Sequence, residues 1–202
     1  EQYDSSAARW TIAVLAWCPF SLFCTVMYTE GSFLWLTASA LRAFERGDYV
    51  WAAFWGALTT ATRGPGLALI PTFLFVAWRE KRICLAYGAG FASAIGLLLF
   101  SLYCAIRFGD PLAFVHVQKA LGQPQWSDIF GEVLKLEKSA ITKIVMVFGG
   151  AFLLLLSRKR LSNVVLTYGV CSLALLLYSG ALHSVNRYAY GVVSLSIALG
   201  LL

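Results

Sequence analysis

Charge is scarce in this chain, and long stretches have none. Only 13% of its 202 residues are charged and 59% are hydrophobic, with a mean hydropathy of +0.73. Soluble domains carry about 25% charged residues, so composition excludes an ordinary soluble domain and indicates an integral membrane protein. Histidine occurs only twice, at His116 and His183, too sparsely for a metal site. The five cysteines, Cys18, Cys24, Cys84, Cys104 and Cys171, stand singly in or beside apolar runs, without the spacing of a zinc site or a disulfide framework. Buried free thiols are expected. A Ser-His-Asp arrangement, a haem motif, internal repeats and low-complexity tracts are all missing. Gly88, Gly90 and Gly96 follow no strand, so they suit close helix packing and not a phosphate-cradling loop. An initiator methionine and a signal peptide are lacking, and the chain stops inside an apolar run, so a fragment of a longer protein is expected.

What is present is a set of eight uncharged runs: Trp10 to Tyr28, Gly31 to Leu41, Tyr49 to Thr62, Leu67 to Trp78, Ile83 to Ile106, Ile144 to Leu156, Val164 to Leu182, and Tyr188 onward. A full span takes about 20 residues, a length that only the first, fifth and seventh approach. The expected fold is an all-α, polytopic transmembrane helix bundle, a single domain over residues 1–202 in which short, broken helices line a cavity. Between the fifth and sixth runs, Leu112 to Leu121 reads as a short interfacial helix, and Ser127 to Lys138 as an amphipathic surface helix. Together they predict a partly helical cover over Arg107 to Lys138.

Orientation follows from the basic residues, which the positive-inside rule assigns to the cytoplasm. Arg9, Arg42/Arg46, Arg79-Lys81-Arg82 and Arg158-Lys159-Arg160 are separated by even numbers of crossings, so all four share one face. The net charge of +6 therefore describes membrane orientation, and no nucleic-acid partner is expected. The opposite face receives Tyr28-Thr29-Glu30, Thr62 to Gly66, Arg107 to Lys143, and His183 to Arg187.

Candidate site residues collect on that extracytoplasmic rim. A carboxylate such as Glu30 can accept hydrogen bonds from sugar hydroxyls, or simply begin a helix at its favourable end. The Arg63 guanidinium matches a phosphate, or snorkels to the interface. Arg187, between Asn186 and Tyr188, is a second phosphate candidate or a cap. His116 and Gln118 either contact sugar and phosphate or form the polar side of an interfacial helix.

In order along the chain, Pro19-Phe20-Ser21-Leu22-Phe23, Tyr28-Thr29-Glu30, Ala61-Thr62-Arg63-Gly64-Pro65-Gly66 with Pro71, Arg107 to Phe114 followed by His116 and Gln118, and Arg187-Tyr188 resemble the bacterial relatives of the second GPI mannosyltransferase, the PIG-V family. That resemblance implies a GT-C-like architecture and hexosyl transfer from a polyprenyl- or dolichyl-phosphate sugar to a glycan or glycolipid acceptor on the extracytoplasmic face. The setting would be the bacterial inner membrane or the endoplasmic reticulum, with membrane lipids as further partners. Tyr28, Glu30, Arg63, His116, Gln118, Arg187 and Tyr188 would then bind substrate. No cofactor is implied with certainty, and a divalent metal stays open. Two departures stand out. Gly64-Pro65-Gly66 replaces the usual Ser-Asn-Gly or Ser-Thr-Gly, and the catalytic aspartate of such enzymes belongs to a first extracytoplasmic loop. Asp4 falls on the cytoplasmic side, so the catalytic acid is unknown, is expected upstream, and the fragment alone is expected to be inactive. A transporter or flippase-like protein is the alternative, distinguished by polar groups at the membrane midplane.

Overall fold

The computed structural model describes residues 5–18, 21, 29–120, 138–179 and 191–201, and every regular element among them is a helix. The all-α expectation agrees with this, while the segment ends differ for local reasons. Helix α1 spans Ser5–Trp17 and gives way to a bend at Cys18, so the first run is no continuous span. Pro19 follows: it offers no backbone N–H and disfavours helical dihedrals in the residue before it.

Helix α2, Glu30–Arg46, buries Phe33, Leu36, Thr37, Ala40, Leu41 and Phe44, a three-to-four-residue spacing that makes one apolar stripe. It stops at Gly47, whose φ of 83° lies in the left-handed region that glycine enters without a Cβ clash. Helix α3, Tyr49–Thr62, returns beside it. A 3-10 turn, Gly64–Ala68, then leads into α4, Leu69–Arg79.

Helices α5, Cys84–Ala92, and α6, Ile95–Phe108, form one 25-residue helical stretch, the one stretch among the described residues that is long and apolar enough to cross a membrane. The remaining apolar helices are shorter than the spans that eight runs suggest. Helix α7 spans Ala113–Ala120, close to the interfacial helix expected there. Helix α8, Lys138–Ser157, starts upstream of the apolar run at Ile144, because helix formation does not require apolar residues. Lys138 therefore opens α8, while the rest of the expected surface helix lies outside the described residues. Helices α9, Asn163–Ser179, and α10, Val193–Gly200, complete the set.

Helix α3 packs on α2, α5 and α6, and α9 packs on α4, α8 and α10. At the centre the Phe44 and Phe73 rings stack with centroids 4.1 Å apart. Two of the three glycines expected at helix contacts are there: a Cβ on Gly96 would lie 1.7 Å from the Ala57 carbonyl oxygen, and one on Gly90 would lie 2.9 Å from Leu74. Gly88 corrects the third, because nothing approaches its Cβ position within 4 Å. The cysteine expectation also needs correction. Cys104 is buried and Cys18 and Cys171 are partly so, but Cys84 is exposed at the start of α5; all four are free. Cys24 lies outside the described residues.

The basic loops gather at one end of the bundle, as the crossing count expects. Arg82 Nη1 donates to the Phe44 carbonyl at 2.6 Å, and Asn163 Nδ2 donates to Glu80 Oε1 at 2.7 Å. These contacts tie the loops after α2, α4 and α8 together. Arg160 donates to the Leu201 carbonyl, and Gly200 sits against Ala7 and Thr11 of α1, which brings Arg9 to the same end. Glu30, Arg63 and the end of α6 therefore lie at the opposite end.

Candidate functional site

At that far end the two charges singled out in the sequence meet. Arg63 Nη1 lies 2.6 Å from Glu30 Oε1, with the arginine side chain 13% exposed and the glutamate 1%. The snorkelling alternative for Arg63 does not describe this geometry, since the guanidinium is turned onto a buried carboxylate. Glu30 opens α2, where its negative charge also faces the favourable end of the helix dipole. One turn later Phe33 puts its ring 5.9 Å from the guanidinium carbon.

The backbone around Arg63 explains how it comes to be aimed there. Arg63 is extended, with φ −155° and ψ 145°, and its carbonyl accepts from the Gly66 N–H at 3.0 Å. Pro65 sits in the first turn of the 3-10 segment, a place where its missing N–H leaves no bond unmade. Gly66 then presses directly on α3: a Cβ there would lie 2.8 Å from the Thr59 carbonyl oxygen. The break is thus a tight fold-back that stops α3 early and leaves Arg63 at its tip.

A second pair occupies the same end. Helix α6 stops at Gly109, φ 73°, and α7 doubles back along it, with Ser101 Oγ donating to the Pro111 carbonyl at 2.7 Å and the Phe100 and Phe114 rings 5.6 Å apart. Asp110 Oδ1 accepts from the Leu112 N–H at 2.9 Å, and Asp110 Oδ2 lies 2.6 Å from His116 Nδ1. The Leu112 N–H and then His116 hold the Asp110 carboxyl below its usual range. Gln118 lies on α7, its side chain outside those described, and Tyr28, Arg187 and Tyr188 also lie outside the described residues. Of the predicted set, the structure joins Glu30 to Arg63 and puts His116 at the same end.

Sequence reading missed the network at the basic end. Arg82 pairs with Glu80 at 2.7 Å, Asn163 joins Glu80, and Ser162 donates to Glu45. Burial pulls the Glu80 carboxyl upward, but hydrogen bonds from Asn163 and Arg82 and the charges of Arg82 and Arg79 outweigh it and hold it low. Burial dominates at Glu45 and pushes it up. The only sequence signal was acidic residues within loops that are otherwise basic.

Among the described residues no group of three His, Cys, Asp or Glu side chains converges as a metal site would require. No family model matches the chain, and comparison with curated proteins and with solved structures likewise gives no match. The resemblance to the PIG-V family therefore rests on the quoted motifs alone.

Proposed function

We propose that this is a polytopic membrane glycosyltransferase of mannosyltransferase type, which transfers a sugar from a polyprenyl-phosphate donor to a hydroxyl acceptor on the extracytoplasmic face. The observation that carries the reading is the Arg63–Glu30 pair, a guanidinium at a helix break, held by a buried carboxylate at the end remote from the basic loops.

The outer surface supports a lipid setting. Trp17 is 89% exposed, Ile106 79% and Tyr178 91%, among many exposed apolar side chains. Left in water, such a surface is unfavourable by about 25 cal/mol per Å²; lipid relieves it. With the basic loops at the cytoplasmic surface, the 17 residues of α2 and the 14 of α3 carry Glu30 and Arg63 about 21–25 Å inward at about 1.5 Å per residue. A hydrocarbon core of about 30 Å then puts the pair several ångströms below the far surface. Ionisable groups at such depth are expensive, and they mark sites where polar substrate enters.

In this reading transfer forms the bond from the acceptor oxygen to the anomeric carbon and breaks the bond from that carbon to the phosphate oxygen. Arg63 stabilises the charge that develops on the departing phosphate, since the planar guanidinium fork matches phosphate oxygens. Glu30 is too enclosed to reach an acceptor and serves to position Arg63. The transporter alternative is less well supported, because every charged side chain described lies at one end of the bundle or the other. The polar side chains buried at mid-length, such as Thr37 and Ser172, are neutral hydroxyls.

The test is sugar transfer from polyprenyl-phosphate mannose in membranes holding the native protein, normalised to abundance. Arg63→Ala is expected to lower transfer roughly ten- to a hundredfold, as loss of a charged hydrogen bond of about 1.5–3 kcal/mol implies. Arg79→Ala, at the other end, serves as the control. Unchanged transfer in Arg63→Ala would return the residue to a structural role.

A further inference from the structure

We infer that the outer face of the α2–α3 hairpin binds one anionic glycerophospholipid of the cytoplasmic leaflet, with the phosphate on Arg42 and Arg46 and an acyl chain along Trp35, Trp51 and Trp55. This goes beyond the glycosyltransferase reading and needs only the membrane setting.

Two features meet on this face. The first is an aromatic ledge. Trp35 on α2 meets Trp55 on α3 edge to face, with ring centroids 5.1 Å apart, and Trp51 stacks on Trp55 at 6.0 Å. Phe54 completes the group, 4.9 Å from Trp55 and 5.8 Å from Trp51. Such interlocked rings form a large, flat apolar surface, and this one is turned outward, with Trp35 60% and Trp51 58% exposed.

The second is a pair of cations at the cytoplasmic end of the ledge. Arg42 and Arg46 stand one helical turn apart, and Trp35 lies two turns before Arg42 on the same side of α2. That side is opposite the buried stripe of Phe33, Leu36, Ala40 and Phe44. Both arginines are exposed, and neither side chain enters an ion pair or hydrogen bond among the described residues. The acids that could neutralise them are engaged elsewhere or stand apart. Glu45 accepts from Ser162, Glu80 is held by Arg82 and Asn163, and Asp48, in the turn, pairs with neither arginine. The helix dipole accounts for a cation at Arg46, in the last turn, but Arg42 lies a turn earlier.

Dimensions and chemistry both fit a phospholipid. From Arg46 back to Trp35 is roughly 16 Å along the helix, the depth of one leaflet in a hydrocarbon core of about 30 Å. Guanidinium forks match phosphate oxygens, and at the cytoplasmic surface the anionic headgroups of the bilayer attract basic side chains. The ledge then gives the chain of that lipid a surface to lie on. The polyprenyl-phosphate donor of the proposed reaction would place its phosphate at Arg63, at the opposite end, so the occupant of this face is a lipid of the cytoplasmic leaflet and not the donor.

The test is photolabelling of the native protein in vesicles of phosphatidylcholine and phosphatidylglycerol in equal parts, doped with a trace of either lipid carrying a diazirine on its acyl chain. Adducts are mapped by peptide mass spectrometry. In wild type, phosphatidylglycerol is expected to label the hairpin well above phosphatidylcholine, with adducts centred on Trp35, Trp51 and Trp55. One arginine near an anionic surface is worth about fivefold in binding, so Arg42→Gln should lower that excess about fivefold and Arg42→Gln/Arg46→Gln should abolish it. Glutamine keeps a helix propensity close to that of arginine, so the exposed hairpin face still folds. Arg158→Gln/Lys159→Gln removes the same charge from another exposed loop at that end and should leave the excess unchanged. Equal labelling by the two lipids in wild type would mean ordinary annular contact, and equal loss in the two double variants would mean diffuse attraction to the basic end. Either result, or phosphatidylglycerol adducts centred outside the hairpin, overturns the inference.

Discussion

Separating the two halves of the Glu30–Arg63 pair should expose how differently each depends on the other. In Arg63→Met the Glu30 carboxylate, 1% exposed, is deprived of its cation, and removal of one partner from a buried pair destabilises by about 3–5 kcal/mol. In Glu30→Gln the guanidinium starts from 13% exposure, keeps an amide oxygen beside it and can turn outward, so a loss of about 1–3 kcal/mol is expected. The double variant removes both charges from an enclosed site, where a pair of apolar or neutral groups is often no worse than the ions. It should be more stable than Arg63→Met alone, with a coupling energy of about 1.5–3 kcal/mol. The assay is denaturant unfolding of the native protein in detergent micelles, followed by tryptophan fluorescence. A cost below about 1 kcal/mol for Arg63→Met, or coupling near zero, would refute the reasoning, because it would mean that water reaches Glu30 and screens the pair as it does at a surface.

Other expectations follow from the packing and the basic end. Gly96→Ala drives a methyl into the Ala57 backbone 1.7 Å away and should destabilise by several kcal/mol, roughly the upper range for overpacking; Gly88→Ala, with nothing within 4 Å, should be neutral or stabilising by up to about 1 kcal/mol. A single cysteine at Asp48 in an otherwise cysteine-free chain should react with a membrane-impermeant maleimide only from the cytoplasmic side, and labelling from outside intact cells would overturn the orientation. Since the folded Glu80 carboxyl is held below the usual glutamate range, its contribution is present above that range and is lost as pH falls through the lower folded value. Glu80→Gln should therefore flatten stability against pH only on the acid side of about 4.5, and an effect confined to neutral pH would contradict the assignment.

Sequence showed the helices best where a residue type has a single structural meaning. Gly109 after the fifth run and the Arg63-Gly64-Pro65-Gly66 break after the third both mark real ends, because left-handed or fold-back geometry admits few residues. Uncharged runs are a poorer ruler. They ran through the end of α1 at Trp17, and they began α8 late because Lys138 and Lys143 interrupt a stretch that is still helical. At the site, the parity of crossings was enough to bring Glu30 and Arg63 to one end, but contact between them depends on the Gly66 fold-back, which no periodicity reports. The Glu45–Ser162, Glu80–Asn163 and Arg82–Phe44 contacts join residues 117, 83 and 38 positions apart, and only the three-dimensional packing of loops creates them. The Asp110–His116 pair is six residues apart. Its turn residues were visible, but the pairing needs the tight reversal between α6 and α7.

The central claim, that Arg63 is a phosphate-binding group held in place by Glu30, is tested most directly by equilibrium binding of a short-chain polyprenyl phosphate to the purified native protein in detergent. Loss of one charged hydrogen bond of about 1.5–3 kcal/mol predicts that Arg63→Ala weakens binding roughly ten- to a hundredfold. Glu30→Gln should weaken it less, by disorienting the guanidinium, and Arg79→Ala should stay within about twofold of wild type. Equal affinity in wild type and Arg63→Ala, or an Arg79→Ala loss as large as that of Arg63→Ala, would contradict the claim.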